Sequence, residues 1–136
     1  MREERRSEVV GRRSEPEKRG GYRDLLAWQL GMELVHTIYA VTNSFPRDEL
    51  FGLISQLRRA AVSVPSNVAE GYRRKSHKDF NVFIGHSRGS LAEIETQLEI
   101  ACDLGYLTRP QWTALQRKTD RRAQVLAGLS SWTEDN

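Results

Sequence analysis

The chain has 136 residues, enough for one domain with a single core, and no apolar run approaches the ~20 residues that span a bilayer, which excludes a transmembrane helix. No apolar segment opens the N-terminus and the lone Cys102 has no partner for an intrachain disulfide, so a reducing, cytoplasmic setting is expected. Net charge is +3, from 21 Lys and Arg against 18 Asp and Glu. Residues 1–20 carry seven of those cations and five of the anions, leaving the remainder nearly neutral at 14 minus 13.

In chain order, residues 1–20 hold only Val9 and Val10 as bulky apolar groups, with Gly11, Pro16 and Gly20 breaking any period. A charged, disordered tail is expected there. A first helix follows over about 23–43 and ends before Ser44-Phe45-Pro46. It carries two apolar seams about 100° apart. One is Leu25, Trp28, Met32, Val35 and Tyr39; the other is Ala27, Gly31, Leu34, Ile38, Val41 and Phe45. A monomeric bundle needs one such stripe, so the second seam is read as a subunit interface, against the alternative of a wider core.

The second helix, about 48–74, places Leu50, Ile54, Leu57, Ala61, Val64 and Val68 on one stripe and Arg59, Ser63, Ser66, Glu70 and Arg73 opposite. Pro65 lies inside it and removes the bond to the Ala61 carbonyl; Ser63, Ser66 and Asn67 stand near enough to satisfy freed backbone groups. Ser76-His77-Lys78-Asp79 then reads as an N-terminal cap, opening a third helix over about 77–104 that stops at Gly105. Thr108-Arg109-Pro110-Gln111 opens a fourth over about 109–131, and 133–136 is a polar end. Four long helices on short connections predict an all-α, antiparallel up-down-up-down bundle.

Three constellations bear on chemistry. Glu33-x-x-His36 has the spacing of a carboxylate-bridged metal site, but a second copy is missing, so no metal or other cofactor is expected. His86, Ser90, Glu93 and Gln97 border the apolar stripe of the third helix at 4, 3, 4 spacing, read as a structural polar network rather than an acid–base pair. The basic clusters are the functional candidates: Arg73, Arg74, Lys75 and Lys78 at the second turn, Arg58 and Arg59 further back, and Arg117, Lys118, Arg121 and Arg122 on the fourth helix. Neutralisation by Glu93, Glu95, Glu99 and Asp103 is the competing reading of the last group.

Tyr22 to about Leu107 resembles the 23S rRNA intervening-sequence proteins. The resemblance rests on Tyr22-Arg23-Asp24-Leu25 with Trp28-Gln29, on the run from Gln56 to Gly71, and on Gly89-Ser90-Leu91-Ala92-Glu93 with Glu95-Thr96-Gln97-Leu98 and Leu104-Gly105-Tyr106-Leu107. It implies a four-helix bundle assembled as a homopentamer. A similar fold occurs in the accessory variability protein of diversity-generating retroelements, which binds a reverse transcriptase and nucleic acid. The expectation is a non-enzymatic oligomeric scaffold or adaptor, contacting RNA, DNA or a nucleic-acid-handling protein through its basic clusters. A purely protein–protein module and, third, an enzyme with an interface site are the alternatives.

Overall fold

The computed structural model describes residues 20–136; the expected tail otherwise lies outside the described residues. A 3-10 turn, Gly21–Asp24, leads into α1 (Leu26–Thr42), and a second 3-10 turn, Arg47–Glu49, leads into α2 (Leu53–Tyr72). Then come α3 (His77–Asp103) and α4 (Arg109–Asp135). α1 packs on α2, α2 on α3 and α3 on α4, while α4 returns more lightly to α1. Helix order around the bundle is therefore helix order along the chain.

Local chemistry explains the ends. The Asp79 amide donates to Ser76 Oγ at 3.1 Å to start α3. Thr108 and Gln111 close a reciprocal capping box on α4, each donating its backbone N–H to the other's side chain. α3 stops in a Schellman turn: Gly105 takes φ +82°, the Tyr106 amide reaches the Ala101 carbonyl, and the Gly105 amide reaches that of Cys102. Three boundaries differ from expectation. α1 starts at Leu26 and α2 at Leu53, because 3-10 turns occupy the residues before them, and α4 continues to Asp135 with Thr133 buried. Leu50 consequently falls outside the buried stripe of α2 and is 42% exposed.

α2 is continuous through Pro65. Ser66 Oγ donates to the Val62 carbonyl at 2.7 Å and Asn67 Nδ2 to that of Ser63 at 2.9 Å, so these side chains reinforce neighbouring carbonyls rather than the one at Ala61. Pro65 itself is buried against α1, where Gly31 leaves room for it: a Cβ on Gly31 would stand 3.1 Å from Pro65 Cβ. A second close approach occurs at the α2–α3 end, where a Cβ on Gly71 would lie 2.7 Å from Phe83 Cβ.

The core occupies the centre of all four helices, through Leu34 and Ile38 of α1, Leu57, Val64 and Val68 of α2, Ile84, Leu91 and Ile94 of α3, and Leu126 and Leu129 of α4. This corrects the reading of α1. The seam assigned to a subunit interface is spent within the chain: Ala27, Gly31, Leu34, Ile38 and Phe45 are buried, Val41 is half-buried, and Leu34 and Ile38 are wholly inaccessible. The physical reason is the Gly31–Pro65 approach, which rotates that side of α1 into α2. Trp28, Met32 and Val35 of the other seam remain half-buried and Tyr39 is exposed. No helix among the described residues is long and apolar enough to cross a membrane.

Candidate functional site

The turn between α2 and α3 gathers four exposed cations, Arg73, Arg74, Lys75 and Lys78, within six residues of chain. The close α2–α3 approach at Gly71 makes this turn tight and holds the cations at one end of the bundle. Two of them lie on aromatic rings: Arg73 Cζ is 5.4 Å from the Tyr22 ring centroid and Arg74 Cζ is 4.7 Å from that of Phe83. Arg74 also pairs with Glu70 at 2.8 Å, an exposed i,i+4 bridge worth a few tenths of a kcal/mol, roughly. Lys75 and Lys78 make no ion pair or hydrogen bond among the described residues.

Two residues of the expected basic set do other work. Arg58 donates Nε to Thr42 Oγ1 at 2.9 Å and Nη2 to Asn43 Oδ1 at 3.1 Å, and its guanidinium lies over the Tyr39 ring. A fixed cation there complements the dipole at the α1 C-terminus. Arg122 is 6% exposed, donating Nε to the Leu30 carbonyl at 3.1 Å and Nη1 to that of Lys118 at 3.2 Å. Its Nη2 reaches Glu33 Oε1 at 3.4 Å, which gives Glu33 an arginine partner. Burial pushes its pKa down and the Glu33 carboxylate pushes it back up. Arg122 is structural, a correction to its reading as a phosphate contact, because all three of its nitrogens are committed to the fold; Arg58 is half-exposed, with Nε and Nη2 engaged at the end of α1.

Arg117, Lys118 and Arg121 are exposed on α4. The nearby Glu95 carboxylate accepts from Gln116 Nε2 at 3.1 Å, not from an arginine. The two clusters are separate. His77 stacks on Trp132 at the turn end, and Arg121 lies three turns back along α4, about 16 Å away at 1.5 Å per residue.

A third feature is a groove of about 400 Å³ between α2 and α3, lined by Gln56, Arg59, Ala60, Ser63, Ser90 and Glu93. Antiparallel register sets Ser63 against Ser90, their hydroxyls 2.7 Å apart, and Gln56 against Gln97, whose Nε2 donates to Gln56 Oε1 at 3.4 Å. Ser90 and Gln97 thus form part of the polar seam expected on the third helix, whereas His86 stacks edge-on against Phe83. Sequence reasoning noticed these α3 residues and Arg59 separately. The signal it left unused was that the polar faces of α2 and α3 share one repeat, which an antiparallel pairing superimposes.

At the opposite end of the bundle from the basic turn, Phe51 is 93% exposed, Leu104 55% and Ile100 44%. Beneath them Tyr106 Oη donates to Glu49 Oε2 at 2.8 Å, and the Tyr106 ring packs 5.5 Å from Phe45. Glu49 Oε1 also accepts from the Leu53 amide, which starts α2. The Leu53 and Tyr106 bonds hold the Glu49 carboxyl below its usual range, and the Glu49 bond raises the Tyr106 phenol.

No group of three or more His, Cys, Asp or Glu side chains among the described residues could hold a metal ion. No curated protein matches the chain. The family model described as 23S rRNA-intervening sequence protein matches residues 23–128, and the chain belongs to that family.

Proposed function

From membership of that family, we propose that this protein is a non-enzymatic oligomeric scaffold that holds single-stranded nucleic acid, or a protein handling it, against its basic α2–α3 turn. The observation that carries the reading is the concentration of Arg73, Arg74, Lys75 and Lys78 at one end of a bundle whose other charges, ten cations against thirteen anions over residues 21–136, are net negative. Phosphate neutralisation needs only positive charge in register. Tyr22 and Phe83 beside the two arginines add ring faces of the kind that accept unstacked bases. The assembly is a homopentamer, as the family resemblance implies, with the half-buried rib Trp28, Met32 and Val35 facing the neighbouring subunit.

Anisotropy of a labelled single-stranded RNA, titrated at 50 to 200 mM salt, tests the reading. Each lost phosphate contact lowers the log–log salt slope by about 0.7, so changing Arg73, Arg74 and Lys75 together to Ala lowers it by about 2. An unchanged slope refutes the proposal.

The exposed Phe51, Leu104 and Ile100 favour a second reading, a protein–protein module with charges that serve solubility. Recovery of a nuclease-resistant protein partner, lost on Phe51→Ser and retained by the triple alanine variant, selects it.

A further inference from the structure

The α2–α3 groove contains polar groups that the fold leaves unspent. Arg59 and Glu93 both line it, yet neither makes an ion pair or hydrogen bond among the described residues. That contrasts with Arg58, Arg74 and Arg122, which are all engaged. At the groove floor Ser63 Oγ accepts from Asn67 Nδ2 at 2.9 Å and shares one hydrogen bond with Ser90 Oγ. Two hydroxyls carry two protons and their mutual bond uses one, so one O–H donor is left without an acceptor among the described residues whichever serine donates. Behind the lining residue Gln56, to which its Nε2 donates, Gln97 is 7% exposed and its Oε1 meets no donor among the described residues.

These groups set what a ligand has to offer. It must bring an anion for Arg59 and the spare hydroxyl, and N–H donors for the Glu93 carboxylate. A free amino acid supplies both charges but underfills a groove that falls within the size range of small-molecule sites, about 300–1,000 Å³. A nucleotide supplies a phosphate and, at a distance from it, a base edge. Among the four bases only guanine presents two adjacent N–H donors, N1–H and N2–H, which match the two oxygens of one carboxylate; adenine, cytosine and uracil each interpose an acceptor. We propose that the α2–α3 groove binds a guanine nucleotide, with Glu93 on its Watson–Crick edge and Arg59 on its phosphate. The inference rests on the nucleic-acid reading above for the source of the nucleotide, which is either an unstacked guanosine in a single strand or the free nucleotide.

Calorimetric titration of the full chain with GMP, IMP, AMP, CMP and UMP tests the base. A bidentate pair discriminates by about tenfold or more, so GMP binds at least about tenfold tighter than the other three standard nucleotides, with IMP, which lacks the N2 amine, between. Glu93→Gln abolishes the preference, and Arg59→Ala weakens all five alike. Circular dichroism confirms that both variants remain folded, as expected for exposed side chains without partners among the described residues. A parallel arm compares anisotropy of a labelled octamer holding one G among U with an all-U octamer; preference in the strand, in free GMP or in both supports the site and identifies its source. No guanine preference in either arm, no binding at millimolar concentration in either arm, or a guanine preference that survives Glu93→Gln overturns it. Salt-dependent RNA binding without guanine preference removes the groove and leaves the basic turn; guanine preference without a salt slope does the reverse.

Discussion

Truncating Leu34 to Ala separates the two seams of α1 by their energetics. Leu34 is wholly buried among α1, α2 and the rest of the core, so losing its isobutyl group costs about 3 kcal/mol through transfer and the cavity left behind. Unfolding entropy is about 2.1 cal/mol/K per residue, or about 0.25 kcal/mol/K over residues 20–136, which converts that loss to a fall in Tm of about 12 °C. Met32 sits half-buried on the other seam, and Met32→Ala costs less than about 1 kcal/mol, a fall below about 4 °C. The assay is thermal unfolding followed at 222 nm, repeated across a hundredfold range of protein concentration because assembly itself raises Tm by mass action. Light scattering on the same samples reports mass. Leu34→Ala therefore melts early at unchanged mass, while Met32→Glu lowers the mass with little change in the melting of the dissociated chain. Equal Tm for Leu34→Ala and Met32→Ala, or dissociation of a still-folded Leu34→Ala, would refute the assignment of the seams.

Gly71→Ala is expected to lose about 1–3 kcal/mol by overpacking Phe83 and Phe80, whereas Gly85→Ala gains up to about 1 kcal/mol because nothing lies within 4 Å of its added Cβ; chemical denaturation decides both. The Glu49 carboxyl is depressed below its ordinary 4.5, chiefly by the Leu53 amide and then by Tyr106, so its contribution is present above that value and lost as pH falls through the folded pKa. The Tyr106 phenol is raised above its ordinary 10.0, so its contribution is complete below pH 10 and lost above it. The stability difference between wild type and Glu49→Gln should accordingly be flat from about pH 5.5 to 9 and shrink at both ends; a difference independent of pH contradicts the hydrogen-bond assignment. Arg122→Met replaces a buried cation by an apolar chain of similar length and should change stability by less than about 1.5 kcal/mol, since Glu33 stays well hydrated at 66% side-chain exposure. RNA affinity should not move in that variant, and a drop equal to that of the basic-turn variants would restore Arg122 as a contact.

What could be read ahead of the structure was whatever local chemistry determines. The Ser76 cap, the Thr108–Gln111 box and the Gly105 stop each depend on residues within a few positions of one another, and each helix end beside them lies close to where the spacing places it. The assignment of the α1 seams could not be read in that way. Both have helical spacing, and only the long-range fit of Pro65 against Gly31 decides which turns inward. Arg122 was misread for a related reason: a run of cations specifies charge, but whether a guanidinium faces water or the Leu30 carbonyl depends on a helix 92 residues away. The groove stayed hidden because its lining is divided between two helices, four residues on α2 and two on α3, and the unsatisfied serine proton exists only once the two are aligned.

The circular order of the helices also sets how this bundle comes together in time. Every strong interface joins neighbours in the chain, so each hairpin can form with a short loop closure and without waiting for distant segments. The last seam, α4 on α1, is the thinnest, and its cross-helix hydrogen bonds among the described residues run through the side chain of Arg122. Amide exchange should therefore open first along that seam, with the α2–α3 pair as the most slowly exchanging unit. A permuted chain joining residue 136 to residue 20 and cut in the 44–46 loop would retain the two inner hairpin contacts of α3 while trading the α1–α2 connection for an α4–α1 one, turning the weakest seam into a local one.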